Sequence, residues 1–528
     1  MHKPFLFFFL CCLFCRSASC QEWQWMVPVE GAVSNETGER PRAFLWIPPA
    51  CRQVRGVVVG QHNMLEEGIL EHPAFRRELA RLGFAEIWVS PYFDLTFDFT
   101  RGAGGRFAAL LQALTVESGY SELEWAPVVP IGHSALASYP WNFAAWNPGR
   151  TLAVISLKGD APLTTLTGSG RPNPAWGDRN MEGVPGLMVM GEYEWGEKRL
   201  QPALDFQEQY GAAPIALLAD AGRGHFDYSD ELVAYLALFL RKAAKFRLPK
   251  AVIPGQPPRL QAVDPRNGWL IDRWRGDSAL QAKAAPYHRY RGNRREAFWC
   301  FDEEMARATE RHYARNRGKR PQSLVWVQQG KTVPRSPSHA QMHLQWQPQE
   351  DGVTFSVAVA FPDSFLHPGK GKISITRICG PVEQVNDTTC RVSFYRMGLN
   401  NPKRTGDVWL LASHPGDRRY KSAVQQANLR IPQKNTGGEE QRITFPPIDA
   451  IKKGTASLAL NALSTSGLPV SYYVQQGPAE VRNGRLVLTK IPPRSRFPIK
   501  VTVVAWQYGK AGKVQTAAPL EQTFFIRD

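Results

Sequence analysis

The chain has 528 residues, 43% hydrophobic and 21% charged, with 44 Gly and 41 Pro; it is too apolar for wholesale disorder and too interrupted for long coiled coils. That length suggests about two to four domains. The formal net charge of +17 is spread over scattered basic residues, with only short groups such as "RGNRRE" and "RNRGKR", which argues against nucleic acid and leaves solubility, an anionic polysaccharide or an acidic cell surface.

In chain order, residues 1–20, "MHKPFLFFFLCCLFCRSASC", join a basic start at Lys3 to an apolar stretch from Phe5 to Phe14 and then small residues. This is the layout of a secretory signal, and the stretch is too short to span a bilayer. A secreted, periplasmic or surface location is expected. A lipid anchor at Cys20 is the less favoured alternative, because Ser17 stands where such signals usually carry Leu. No later apolar run is long enough to cross a membrane.

Residues 21–250 alternate strand and helix. "EWQWMVPVEG" and "RAFLWIPP" read as two opening strands. "VRGVVVG", "AEIWVSP", "APVVPIG", "TLAVISLKG", "PGLMVMG" and "APIALLAD" read as strands buried on both faces. Between them, "HPAFRRELARLGF", "GGRFAALLQALTVESG", "ALASYPWNFAAWNP" and "LQPALDFQEQYG" read as helices, and "DELVAYLALFLRKAAKF" closes the series. The pattern predicts an α/β domain, a mainly parallel sheet covered by helices on both faces. Residues 251–334 read as a connector whose helix, over "AFWCFDEEMARATERHYARNRG", packs on that domain.

From about residue 335 the period becomes two, with short strands between turns, as in β-sandwiches. "CGPVEQV" at 379–385 matches "QGPAEVR" at 476–482, and "VWLLASHPG" at 408–416 matches "VTVVAWQYG" at 501–509. Tandem copies at 335–432 and 441–528 are therefore expected. Through "SGLPVSYYVQQGPAEVRNGRLVLT" the second resembles the immunoglobulin-like modules of bacterial surface and secreted proteins. Outside the signal the cysteines are Cys51, Cys300, Cys379 and Cys390. In an exported chain, Cys379 and Cys390 either bridge the hairpin they flank or stay buried thiols, and Cys51 with Cys300 is a weaker pairing.

The chemistry centres on "VVPIGHSALASYP", residues 128–140. A serine on a tight strand-to-helix turn is pushed out of the sheet, and small neighbours permit the turn. Gly132 and Ala135 supply two, whereas the fifth position of G-x-S-x-G is Leu136. The alternative for Ser134 is a helix cap. "PGLMVMGEYEWGE" ends a later strand with Glu192 and Glu194, and "LLADAGRGHFDYSD" ends the next with His225. Ligands bind such sheets at the carboxyl ends of their strands, so these segments meet on one rim.

The order Ser, Glu, His on this layout resembles the α/β-hydrolase superfamily over residues 21–250, and its secreted esterases in particular. The resemblance implies Ser134 as nucleophile, His225 as general base then acid, and a carboxylate orienting the histidine. The family's G-x-x-D pattern favours Glu194, with Glu192 and then Asp160 behind it. It also implies an oxyanion hole from the N–H of Ala135 and one from the loop holding His62 or Gln61. Tyr139, Trp141, Trp146, Trp176 and Trp195 crowd the loops of the same region and are expected to bind substrate, their flat rings suiting sugar or aryl faces. The polar insertion at 161–184 is read as a lid or specificity loop.

No cysteine–histidine spacing resembles a zinc site, and there is no phosphate loop or dinucleotide fingerprint; no metal or cofactor is expected. The leading reading is a secreted serine esterase acting on acetyl, methyl or feruloyl esters of a polysaccharide. The alternatives are a peptidase or lipid esterase of the same fold, and a catalytically silent glycan-binding or adhesion protein.

Overall fold

The computed structural model describes residues 22–250, 253, 255–362, 369–399 and 406–528. The signal at 1–20 and the lipid site at Cys20 lie outside the described residues. Among those described, no helix is long and apolar enough to cross a membrane.

The first half is one eight-stranded sheet: β1 (Trp25–Pro28), β2 (Arg42–Trp46), β3 (Gly56–Gln61), β4 (Phe84–Ser90), β5 (Val128–His133), β6 (Val154–Leu157), β7 (Gly186–Gly191) and β8 (Ile215–Asp220), in the order β1-β2-β4-β3-β5-β6-β7-β8. β1, β2 and β4 pair antiparallel; β4, β3 and β5–β8 run parallel. Apolar residues on successive positions serve opposite faces, because strand side chains alternate. Val57 and Val59 pack with Phe107, Leu110 and Leu114 on one side; Val58 packs with Ile69, Phe75 and Leu79 on the other. The covering helices are α1 (Leu65–Leu70), α2 (Pro73–Leu82), α3 (Gly104–Ser118), α4 (Ser138–Trp146), α5 (Glu197–Gln209) and α6 (Asp230–Arg247). This is the mainly parallel sheet covered by helices on both faces that the strand–helix alternation predicts.

The connector does not form one helix over 297–318. "AFWC" is a strand, Ala297–Cys300, paired antiparallel with Trp269–Asp272. The helix α7 (Glu303–Ala314) starts only after Asp302, whose carboxylate caps it by accepting the Met305 N–H at 3.2 Å. Four consecutive apolar residues suit a buried strand, and the Asp marks the change. α7 reaches the main sheet, where the Tyr313 hydroxyl donates to Leu217 O at 3.0 Å.

The second half is all-β. Met342–Leu344, Ala423–Arg430, Asp407–His414 and Ser374–Cys379 form one sheet; Thr354–Ser356, Thr389–Val392 and Val382–Asn386 form another. The same pattern recurs with Ile451–Lys452, Leu520–Arg527, Ile499–Trp506 and Ser471–Gln476, beside Ser457–Ala459, Arg485–Leu488 and Ala479–Arg482. In both four-stranded sheets the first strand joins parallel and the others antiparallel. The "GP" shared by the two repeats has a physical cause. Gly380 (φ 96°) and Gly477 (φ 117°) turn the chain from one sheet to the next. A Cβ on Gly380 would meet Asp407 O at 2.0 Å, and one on Gly477 would meet Val501 at 2.8 Å.

This crossing also corrects the disulfide expectation. Cys379 ends a strand of one sheet and Cys390 lies in the other. No disulfide forms among the described residues, and Cys51, Cys300, Cys379 and Cys390 are buried thiols.

Candidate active site

Ser134 follows β5 directly, with its backbone at φ 52°. A non-glycine residue in the left-handed region is strained, and strain of this kind gathers at functional sites. The turn closes because glycines clear it. A Cβ on Gly132 would stand 2.2 Å from Leu136 O, one on Gly168 2.1 Å from Ser134 O, and one on Gly159 1.8 Å from the Ala137 Cβ. Here the clearance lies at 132, 159 and 168, and the fifth motif position is free to be Leu136, which is buried in the apolar layer under the turn. Gly132→Ala is expected to reduce activity at least a hundredfold and to lower the thermal midpoint, because the obstruction is backbone and cannot swing aside. A variant with normal turnover and melting would show that the turn tolerates a side chain there.

His225 lies on the turn after β8, and Glu194 on the turn after β7. Ser134 Oγ is 2.7 Å from His225 Nε2. On its other side, His225 Nδ1 makes a short hydrogen bond to Glu194 Oε2. With Nδ1–H donating to the carboxylate, the Nε2 lone pair is left to accept the serine proton. Burial works to raise the Glu194 carboxyl. The hydrogen bond and charge of His225, with Lys158 and Arg199, outweigh it and hold the group at about 2. Arg199 Nη1 donates to Glu194 Oε2 at 3.0 Å.

Of the other two carboxylates, Glu192 is employed elsewhere. Glu192 accepts from Gly222 N at 2.7 Å, Asn316 Nδ2 at 2.8 Å and Lys421 Nζ at 2.8 Å, tying the rim to the connector and the first all-β unit. Asp160 lies after β6, where its backbone carbonyl accepts from the Trp141 indole at 2.9 Å.

Sequence reasoning missed the supports of this constellation. Lys158, fully buried at the end of β6, donates from Nζ to Gly224 O at 2.7 Å and to Asp220 and Asp227 at 3.2 Å each. Burial opposes its charge, but Asp227, Asp220 and Glu194 overcome this and raise its pKa. It clamps the histidine turn onto the sheet. A lysine ending the apolar run "LAVISLKG" was the available signal. His133 is also fully buried; burial, then the charge of His225, push its pKa well below the usual histidine value, so it stays neutral. Its Nε2 lies 2.9 Å from His225 O, and its Nδ1 lies 3.2 Å from Asn63 Nδ2. With Asn63 donating to Nδ1, Nε2–H donates to the His225 carbonyl. Glu66 accepts the His133 N–H at 2.7 Å and the Met64 N–H at 3.0 Å, joining the loop after β3 to the serine strand.

Two groups of expected residues are placed differently. In the loop after β3, the His62 N–H donates to Val89 O at 2.7 Å, so it is committed to the sheet and does not face Ser134. The His62 ring sits 2.8 Å from Ser90 Oγ, and Gln61 is a wholly buried residue of β3. Ala135 is half-buried in the short turn Ser134–Leu136. Of the aromatic residues, three are core rather than rim, and Trp146 and Trp195 are half-buried against the core. Tyr139, Trp141 and Trp176 are buried; Trp146 stacks on Phe99 with centroids 5.1 Å apart, and Trp195 meets Trp274 edge-on at 4.7 Å. Large rings gain most from complete removal from water, so helix α4 turns Tyr139 and Trp141 inward. The insertion at 161–184 lies against the same helix: Gly168 N donates to Ser138 Oγ at 3.2 Å, and the Trp176 indole to Asn142 Oδ1 at 3.0 Å. Among the described residues no cluster of His, Cys, Asp and Glu is arranged to hold a metal ion.

No family model and no curated protein matches the chain. Among solved structures it is similar to the substrate-bound fluorophosphonate-binding serine hydrolase F of Staphylococcus aureus, at 11% identity and TM-score 0.30, over 42% of this chain and 97% of that one. It is similar to an S-formylglutathione hydrolase from Agrobacterium tumefaciens at 17% identity and TM-score 0.29, over 42% and 94% of the two chains. A third likeness is to the esterase domain of a Rhodothermus marinus protein, at 18% identity and TM-score 0.26, over 42% and 98%.

Proposed function

We propose that this protein is a serine hydrolase of carboxylic esters, with Ser134 as nucleophile, His225 as general base and acid, and Glu194 as the carboxylate that orients and charges-balances His225. The observation that carries the reading is the continuous hydrogen-bond relay Ser134–His225–Glu194, drawn from the ends of β5, β8 and β7. Ser134 Oγ attacks the ester carbonyl as His225 Nε2 takes its proton. The Ala135 N–H is the proposed donor to the oxyanion. Collapse of the tetrahedral intermediate expels the alcohol, which His225 protonates, leaving an acyl-serine. Water, deprotonated by His225, then releases the acid. Glu194 remains ionised throughout and stabilises the imidazolium.

The silent-adhesion reading gives no reason to hold a serine in strained backbone 2.7 Å from a carboxylate-backed histidine. The polysaccharide expectation drew partly on rim aromatics, of which Tyr139, Trp141 and Trp176 are buried and Trp146 and Trp195 are engaged with other rings, so the proposal is kept at the ester. The layout of residues 1–20 supports export.

The test is covalent. A fluorophosphonate probe is expected to label the full chain once, on the peptide bearing Ser134, and p-nitrophenyl acetate hydrolysis should stop in step with labelling. Labelling at another residue, or undiminished hydrolysis by Ser134→Ala, would end the proposal.

A further inference from the structure

The rim has a wall that does not belong to the catalytic domain. Residues 335–340, which lead into the strand Met342–Leu344, bring His339 onto the face of His225. The His339 ring stacks on the His225 ring with centroids 4.2 Å apart and planes 18° apart. His339 and the following Ala340 both have left-handed backbone, φ 50° and 52°. Two buried glutamines from the strand Ala423–Arg430 hold that shape. Gln426 Nε2 donates to His339 O at 2.5 Å, and Gln425 Nε2 to Ala340 O at 2.7 Å. Strained backbone persists where its surroundings over-determine it, and here the outcome is a flat ring laid on the reactive histidine. Burial, then the neighbouring His225, lower the His339 pKa.

Between this strap and the sheet rim lies a cavity of about 550 Å³, bordered by Tyr193, Arg199, His225, Arg335, His339 and Gln426. Most of its polar groups are already occupied. The Tyr193 hydroxyl donates to Ser422 O, and Arg199 donates to Glu194 and to Gly159 O at 3.0 Å each. Arg335 is different: Nη2 donates to Leu324 O at 3.1 Å, and the guanidinium has no carboxylate partner among the described residues. The carboxylate in the wall, Glu194, is already matched by His225 and Arg199. The cavity is therefore net positive, beside the residue that protonates the departing alcohol.

We infer that the cavity between the catalytic rim and the first all-β unit binds the alcohol portion of the ester, that this portion is anionic and faces Arg335, and that His339 is a positioning residue fixing the plane of His225. This rests on the esterase reading above. It gives the β unit a part in catalysis, as a wall of the site.

The experiment compares phenyl acetate with 3-carboxyphenyl acetate, which differ by one anionic group on the alcohol side. In the full chain, kcat/KM is expected to favour the carboxylated ester by about tenfold, the effect of one charge-assisted contact. Arg335→Gln should bring that ratio close to one, through KM, and Arg335→Lys should recover part of it. His339→Ala should lower kcat on both esters about tenfold, with His339→Phe, which keeps a flat ring, recovering most of the loss; a merely structural residue gives no such recovery. A ratio at or below one in the parent protein, or one unmoved by Arg335→Gln, overturns the subsite. Unchanged kcat in His339→Ala overturns the positioning role. If Ser134 takes the fluorophosphonate label and phenyl acetate is hydrolysed, these results sink the subsite alone. If neither occurs, the esterase reading has failed and the subsite with it.

Discussion

Glu194→Gln is expected to lower kcat on p-nitrophenyl acetate by about ten-thousandfold with little change in KM. The carboxylate accepts Nδ1–H and so presents the Nε2 lone pair to Ser134. An amide offers an N–H as readily as a carbonyl, which permits the tautomer that points a proton at the serine, and such a swap costs triads about that factor. Loss of the negative charge also leaves the imidazolium of the transition state unsupported. A kcat within a hundredfold of the parent would remove Glu194 from this role. The same variant carries a pH signature. The parent carboxyl titrates at about 2, against 4.5 for an unperturbed group. Its contribution to stability is thus complete above the unfolded value and drains away as the pH falls through the folded one. The difference in urea midpoint between parent and Glu194→Gln should therefore shrink between pH 5 and pH 2.5.

What could be read from the sequence was what depends on short-range pattern. Runs such as "VRGVVVG" and "APIALLAD" are apolar at every position because a parallel strand is buried on both faces, and they stand as β3 and β8. Ser134, Glu194 and His225 were singled out through position: Ser134 directly follows β5, and Glu194 and His225 lie on the turns after β7 and β8. The short helix α1 escaped notice: "LEEGIL" carries two glutamates that look solvated, yet Glu66 and Glu67 are both buried. Their partners explain the error. Glu66 holds the backbone of His133, and Glu67 meets Arg396, 329 residues further on. Nothing local announces such pairs. The burial of Trp141 and Trp176 was illegible for a related reason: composition tells that large rings lie near the rim, but not which way the chain turns them. His339 was hidden twice over, in a segment assigned to another unit and in a backbone shape that no propensity favours.

The Arg396 pairing leads to the largest expected loss of stability. The guanidinium donates to Glu67 Oε1 at 2.6 Å and makes a short contact with Glu71, all three side chains being almost fully buried. Trp88, Trp23 and Phe44 surround it with ring centroids at 4.9, 5.4 and 5.6 Å. The Trp23 indole donates to Glu71 at 2.9 Å, and Arg377 stands 3.8 Å from Glu67. Burial already pushes the Glu67 carboxyl upward against the pull of Arg396. Arg396→Met would leave Glu67 and Glu71 in an aromatic pocket without the guanidinium that contacts both. Breaking one side of a buried pair costs about 3–5 kcal/mol, and the thermal midpoint should fall accordingly. Because the cost is uncompensated charge rather than lost packing, Glu67→Gln and Glu71→Gln added to Arg396→Met should restore much of it. A single variant that melts within a degree or two of the parent would show the pair to be inert. The loss should also reach activity. Glu67 lies within α1 and Glu71 caps its end, and Glu66 of the same helix ties the loop after β3 to the strand that presents Ser134. A loosened all-β unit also carries His339 away from His225. Turnover of Arg396→Met at a temperature where it remains folded should therefore fall below that of the parent, and the charge-balanced triple variant should regain it.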